Sequence, residues 1–289
     1  MRLAKVPIIF ALVSRSTSPR RRPIPMHWLY DLPLWALCAL LLTVSVLYAV
    51  VAVWAVRRLG WRLDADDNGT AAALHAFIGV LYAVALGLLV VAAQDANEEV
   101  EQAVAAEANA TGDLYRVMAG LEPADRVRLR TGVAEYVRLV VEDEWPATRH
   151  ARSSPATWRA MDRLSNDIYA FRPATPQEER VYPQLVSEME EVLDARRQRL
   201  DLGQRGVGAV TWTVIVIGGM ITIGFAAFFR MGSLRAHLLL TSLAAAMFGL
   251  MLFLLLAMDH PLWGRVSIGP DDFVELQTRF RQQQAEVAR

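Results

Sequence analysis

Residues 71–93, AAALHAFIGVLYAVALGLLVVAA, form an apolar run of 23 residues that continues, with no proline, into QDANEEVEQAVAAEANATGDLYRVM. A helix rises 1.5 Å per residue, so about 20 apolar residues cross a hydrocarbon core of about 30 Å. The run reads as a membrane span. Beyond Gln94 the apolar residues thin to Val100, Val104, Ala108, Leu114 and Met118, a one-sided helical spacing among Glu, Gln and Asn. The same helix is therefore expected to leave the bilayer as a stalk.

Three further blocks of the same kind lie at residues 34–56, 207–229 and 236–258, each about 23 residues long and apolar on every face. These blocks account for a hydrophobic content of 54% and a mean hydropathy of +0.26. Four spans in two hairpins follow. The first hairpin covers 26–93 and turns through a loop whose Arg57, Arg58 and Arg62 sit beside Trp54 and Trp61 as interface anchors, with Asp66-Asp67-Asn68-Gly69 supplying the turn. The second, 207–258, turns through RMGSLR. Residues 259–289 read as a C-terminal tail. Residues 1–25 carry six basic and no acidic side chains around a short apolar core, with no small-residue cleavage site. The expectation is that translation starts instead at Met26, because HWLYDLPLW places Trp28, Tyr30 and Trp35 at headgroup depth.

The polar segment 94–206 is expected to be a bundle of about four helices. After the stalk, Val127, Thr131, Ala134, Val137 and Val141 trace one helical face following Pro123, and Trp158, Met161, Leu164, Ile168 and Phe171 trace another. Thr175-Pro176-Gln177-Glu178 matches a capping box with proline at the first helical position, opening a helix through Leu185, Met189 and Val192 to about Leu202. No alternating strand pattern occurs, so the fold class is all-α: a polytopic membrane protein with a helical-bundle polar domain inserted between spans two and three. That domain holds 21 acidic against 15 basic residues, net −6, which argues against a nucleic-acid partner. The single cysteine, Cys38, excludes a disulfide framework, and no metal-ligand spacing, Walker, HExxH or nucleophile-elbow motif appears. No enzyme chemistry, metal or cofactor is expected. Lys5 is the one lysine among 30 basic residues, a usage typical of a bacterial genome of high GC content.

The candidate functional residues lie in and beside the spans. Gly79, Ala83 and Gly87 repeat at four-residue spacing in span two, and Gly218, Thr222 and Ala226 do so in span three. Such stripes serve close helix packing or, alternatively, a pore lining. His75 reads as the only ionisable side chain inside the apolar blocks, about one turn from the start of span two, where it is either part of an ion path or a headgroup-level side chain. Asp259 and His260, with Pro261, Trp263 and Gly264, form a tight exit from span four. They could bind a cation or proton, or act only as a helix stop. The acidic string Glu142-Asp143-Glu144 before Trp145-Pro146 reads as an exposed helix end.

The paired spans, YAVALGLLVVAA, EANATGDLYR, EYVRLVVEDEWP, TPQEERVY and LAMDHPLWGRVSIGPDDF, in this order, resemble the bacterial bestrophin-like integral membrane proteins, a family long described as a domain of unknown function. The resemblance covers about residues 28–280 and implies four spans around a helical insert. True bestrophins are pentameric anion channels lined by the second span, with the large domain in the cytoplasm, and none of their neck or calcium-clasp residues are carried over to positions here. A homo-oligomeric channel for a small ion, most readily an anion, is one functional expectation. The other is a non-transporting sensor or scaffold that uses the helical domain to bind a partner. Arg57, Arg58, Arg62, Arg230 and Arg235 crowd the short loops while Asp31, Asp95, Glu98, Glu99 and Asp259 lie opposite. With a start at Met26, this puts the polar domain outside the cytoplasm of a bacterial inner membrane.

Overall fold

The computed structural model describes residue 30 and residues 32–61, 63–64, 66–264 and 267–287. The 1–25 leader, Trp28, Asp31 and Arg62 lie outside the described residues. Within them every regular element is helical: α1 (Leu34–Leu59), α2 (Asn68–Val117), α3 (Pro123–Leu139), α4 (Trp145–Arg149), α5 (Pro155–Tyr169), α6 (Pro176–Leu202), α7 (Ala209–Ala226), α8 (Leu234–Met258) and α9 (Asp271–Val287). Four of them, α1, the membrane half of α2, α7 and α8, are long and apolar enough to cross a bilayer.

α2 is one continuous helix of 50 residues, span and stalk together, as its unbroken pattern predicts. α1 runs three residues past the expected end, because Arg57 and Arg58 are good helix formers in a last turn and Gly60, at φ 72°, provides the left-handed stop. α7 ends earlier than expected, at Ala226. Ala227 and Phe228 donate to Gly224 and Phe225 in a tightened turn, which leaves the Phe228 carbonyl to accept the Leu63 N–H across the loops at 3.2 Å. Asn68 Oδ1 accepts the Arg230 N–H at 3.0 Å, so the two short loops are joined at one end of the membrane region.

In the polar domain the stalk of α2 packs along α6, and α3 packs on α5. The core gathers Val100, Val104, Leu114, Met118, Leu129, Val133, Met161, Leu164, Leu185 and Met189. Each fully buried side chain of this kind contributes about 1.5–3 kcal/mol. The buried residues of α3 and the turn after it are Leu129, Val133, Tyr136, Val137 and Val140; of the expected face, Val137 is buried and Ala134 and Val141 pack against the core, whereas Val127 and Thr131 are exposed. Val127 is 59% exposed, and Thr131 turns its hydroxyl back to the Val127 carbonyl, a local bond that suits a wet face. The C-terminal tail is also part of the domain: α9 buries Phe273, Leu276 and Phe280 in the same core, with Phe280 stacked on Tyr115 at 3.9 Å.

The start of α6 is capped as expected, with Thr175 Oγ1 accepting the Glu178 N–H at 3.2 Å. The Glu178 carboxylate reaches further than a simple capping box. It accepts from Ala174 N–H at 2.9 Å and, across the fold, from Glu122 N–H at 3.1 Å, which fastens the start of α3 to the start of α6. These backbone donors hold its carboxyl below the usual carboxylate range.

Candidate functional site

The membrane half of α2 touches the rest of its own chain along one side only. Leu86 and Ala93 are buried there against α7 and α8, while Phe77, Val80, Leu81, Val84, Leu88 and Val91 are each more than half exposed. The rotation of α2 is set by Tyr82, whose hydroxyl donates to the Ile215 carbonyl and whose ring lies 6.1 Å from Phe248. Gly218 of α7 makes room for that ring, since a Cβ there would stand 2.6 Å from it, and Gly219 makes room for Phe248. The small residues of α7 thus serve contact inside the chain. Those of α2 do not: a Cβ at Gly79 or Gly87 would meet nothing within 4 Å, and Ala83 is exposed.

The other candidates fall at the two ends of the membrane region. His75 stacks on Phe225 at 5.3 Å and meets Phe229 edge-on at 5.4 Å, against the end of α7. Asp259 is 5% exposed and accepts from three donors. It takes Tyr30 Oη–H at 2.7 Å, Val207 N–H at 2.6 Å and Trp212 Nε1–H at 3.3 Å. Burial and the Asp259 carboxylate together push the Tyr30 hydroxyl well above its ordinary range. His260 stacks on Trp263 at 3.8 Å and sits 5.4 Å from Tyr30, and Gly206 has no side chain because the His260 ring fills that space. Asp259 and His260 therefore stand together in the knot that joins Tyr30, α7 and α8, with His75 at the far end of the spans.

A second intramembrane histidine escaped the sequence reading. His237, in the first turn of α8, is 1% exposed. Its Nε2 lies 3.1 Å from the Ala226 carbonyl and its Nδ1 3.3 Å from the Arg57 guanidinium, which itself donates to the Met231 carbonyl at 3.1 Å. The signal was a histidine at the polar edge of an apolar block.

The sequence reading also missed the most heavily bonded group in the domain. Glu107 of α2, Glu144 at the end of a π-helical turn (140–144), and Arg196 and Arg199 of α6 are all at most 2% exposed. Arg199 donates through Nε to Glu107 and through an Nη to Glu144. Arg196 forks onto both oxygens of Glu144 and donates to Tyr136 Oη at 2.9 Å, and Tyr136 in turn donates to Glu107. Two carboxylates and two guanidinia cancel in charge. The guanidinia also lie over aromatic rings, Arg196 4.7 Å from Trp158 and Arg199 5.0 Å from Trp145. Burial pushes the Glu144 carboxyl up, but Arg199 and Arg196 overcome it and hold the group below its ordinary value. Burial and the neighbouring Glu107 push the Tyr136 hydroxyl far up, which keeps it a donor.

Of the expected exposed helix end at Glu142–Glu144, Glu142 and Asp143 are exposed, while the burial of Glu144 and the continuing helix are corrections. The extra residue of the π-helical turn rotates Glu144 and Trp145 into the core, and the helix continues. Asp143 accepts from Ser154 Oγ, the N-cap of α5. Among the described residues no group of three or more His, Cys, Asp or Glu side chains is placed to hold a metal ion.

A four-span, all-helical membrane protein with a charge-locked helical domain between its hairpins is the class that this fold and these clusters define. A family model described as the Bestrophin-like domain matches residues 43–273, about four-fifths of the chain. The chain belongs to the bestrophin-like family. Its fold is shared with a bacterial bestrophin homologue from Klebsiella pneumoniae. One variant of that protein aligns at a TM-score of 0.65 with 15% identity, covering 86% of this chain and 98% of the other. A second structure of the homologue aligns at 0.64 with 14% identity over 84% and 96%. No curated protein sequence matches the chain.

Proposed function

We propose that the chain is one subunit of a homo-oligomeric ion channel in which copies of α2 surround the conducting path. One observation carries this reading: α2 leaves most of its membrane half uncovered, with open space at Gly79 and Gly87, and helices from other copies can fill that space closely. The stalk then continues as the wall of a vestibule, held to α6 by the Glu107–Arg199 bonds. The anion preference implied by the resemblance meets exposed Asp95, Glu98 and Glu99 where α2 leaves the membrane, and carboxylates at a pore mouth favour cations. Purified protein in planar bilayers under a tenfold KCl gradient tests both parts. Conductance supports the channel, and the sign of the reversal potential assigns the ion. A silent monomer refutes the channel.

A sensor or scaffold without transport is the second reading. It is favoured by the uncovered wall of α2, which is apolar from Phe77 to Val91 and supplies no polar lining to a conducting ion. On either reading, with a start at Met26, the arginines of the short loops favour a cytoplasmic position for those loops and an outside position for the helical domain. In a Cys38→Ala background, a cysteine at exposed Arg152 labelled by an impermeant maleimide on intact spheroplasts supports this orientation. Labelling only after lysis reverses it.

A further inference from the structure

Between α1 and α7 runs an open apolar groove of about 410 Å³, lined by Tyr48, Ile217, Met220, Ile221, Gly224 and Phe228. That volume lies in the ordinary range for small-molecule sites, about 300–1,000 Å³. Tyr48 is held in its wall by donating to the Met220 carbonyl at 2.9 Å, and Gly224 gives the hydroxyl room. Ile217 is 51% and Ile221 60% exposed, so the groove opens away from the helix pair. It follows α7 from Ile217 to Phe228, a length of about 16 Å at 1.5 Å per residue, in the half of the membrane nearer the short loops.

Cationic side chains stand at that end. Arg58, in the last turn of α1, is exposed and holds its guanidinium 5.3 Å from the ring of exposed Trp54. Arg230 follows Phe228 by two residues and is also exposed. Neither arginine forms a salt bridge among the described residues, whereas Arg57 is turned toward His237 and Met231. The two loops carry five arginines (57, 58, 62, 230 and 235) against three aspartates (64, 66 and 67), so this end remains positive.

The geometry points to a binding site for an anionic phospholipid, with one acyl chain in the α1–α7 groove and the phosphate between Arg58 and Arg230. A free phosphate would make no use of the apolar groove. A second copy docked isologously, by the same face on both copies, would bring the arginines of both together. A lipid satisfies both ends at once, because hydrocarbon fills the groove and the headgroup meets the cations at interface depth.

Native mass spectrometry of the full chain in detergent, with added phosphatidylglycerol or phosphatidylcholine, tests the assignment. Wild type binds phosphatidylglycerol in preference to phosphatidylcholine. Arg58→Gln with Arg230→Gln weakens phosphatidylglycerol about thirtyfold, about fivefold for each arginine, and leaves phosphatidylcholine unchanged. Ile221→Trp, a substitution at an exposed position, blocks both lipids by filling the groove. No preference in the wild-type chain, unchanged phosphatidylglycerol binding in the double variant, or unchanged binding of both lipids in Ile221→Trp each overturns the site. A disulfide between copies in Cys38→Ala, Ile221→Cys protein also overturns it, by assigning the groove to a second copy.

Discussion

Removing Arg199 should destabilise the helical domain more than any single change on its surface. The guanidinium is wholly buried, bonded to Glu107 and Glu144, and stacked near Trp145. In Arg199→Met the side chain keeps much of its volume, but two buried carboxylates are left facing one guanidinium, Arg196. Breaking a buried pair from one side costs about 3–5 kcal/mol because an uncompensated charge remains. At about 2–4 °C per kcal/mol for a domain of this size, the apparent Tm should fall by about 6–20 °C. Replacing the whole cluster with apolar side chains (Glu107→Leu, Glu144→Leu, Arg196→Met, Arg199→Met) with Tyr136→Phe should cost far less, since no charge is then left alone. Circular dichroism melts of the full chain in detergent, with the helical signal as readout, check both. A loss below about 1 kcal/mol in Arg199→Met, or a larger loss in the apolar replacement than in the single variant, would refute the reasoning.

The same cluster has an acid signature. The Glu144 carboxyl is depressed in the folded chain relative to its ordinary 4.5, so its contribution is fully present above that pH and is lost as pH falls through the lower folded value. Stability measured from pH 7 downward should hold to about 4.5 and then drop, and Glu144→Gln should flatten that part of the profile. In the membrane half, Gly87→Leu should leave a single chain intact but lower the subunit count seen by mass photometry, because nothing inside the chain occupies that space. Gly218→Leu should instead reduce thermal stability by about 1–3 kcal/mol through collision with Tyr82. Asp259→Ala should cost about 1–3 kcal/mol for each buried donor it orphans, the Val207 N–H first, as a lower melting temperature in detergent. Thr175→Ala should cost about 1 kcal/mol as a lost helix cap.

The spans, the continuity of α2 with its stalk and the cap at Thr175 were all legible in the sequence, because each depends on residues close together in the chain. Apolar length, helical period and capping chemistry act over one to a few turns, and no neighbour is needed to define them. Part of the charge cluster was legible in the same way and went unread. Glu107 falls on the stripe Val100, Val104, Thr111, Leu114, Met118, and Arg196 and Arg199 continue Leu185, Met189, Val192 at the same spacing of three and four. A charged residue on an apolar stripe is a buried charge or the end of the stripe, and only its partner decides which. That partner lies 92 residues away for Glu107 and Arg199. Glu144 required more still, since a single extra residue in a π-helical turn moved it from the wet face to the core. The two small-residue stripes had the same local pattern and different outcomes. Gly218 meets Tyr82 while Gly79 and Gly87 meet nothing, a difference made by which helices the fold places alongside each one.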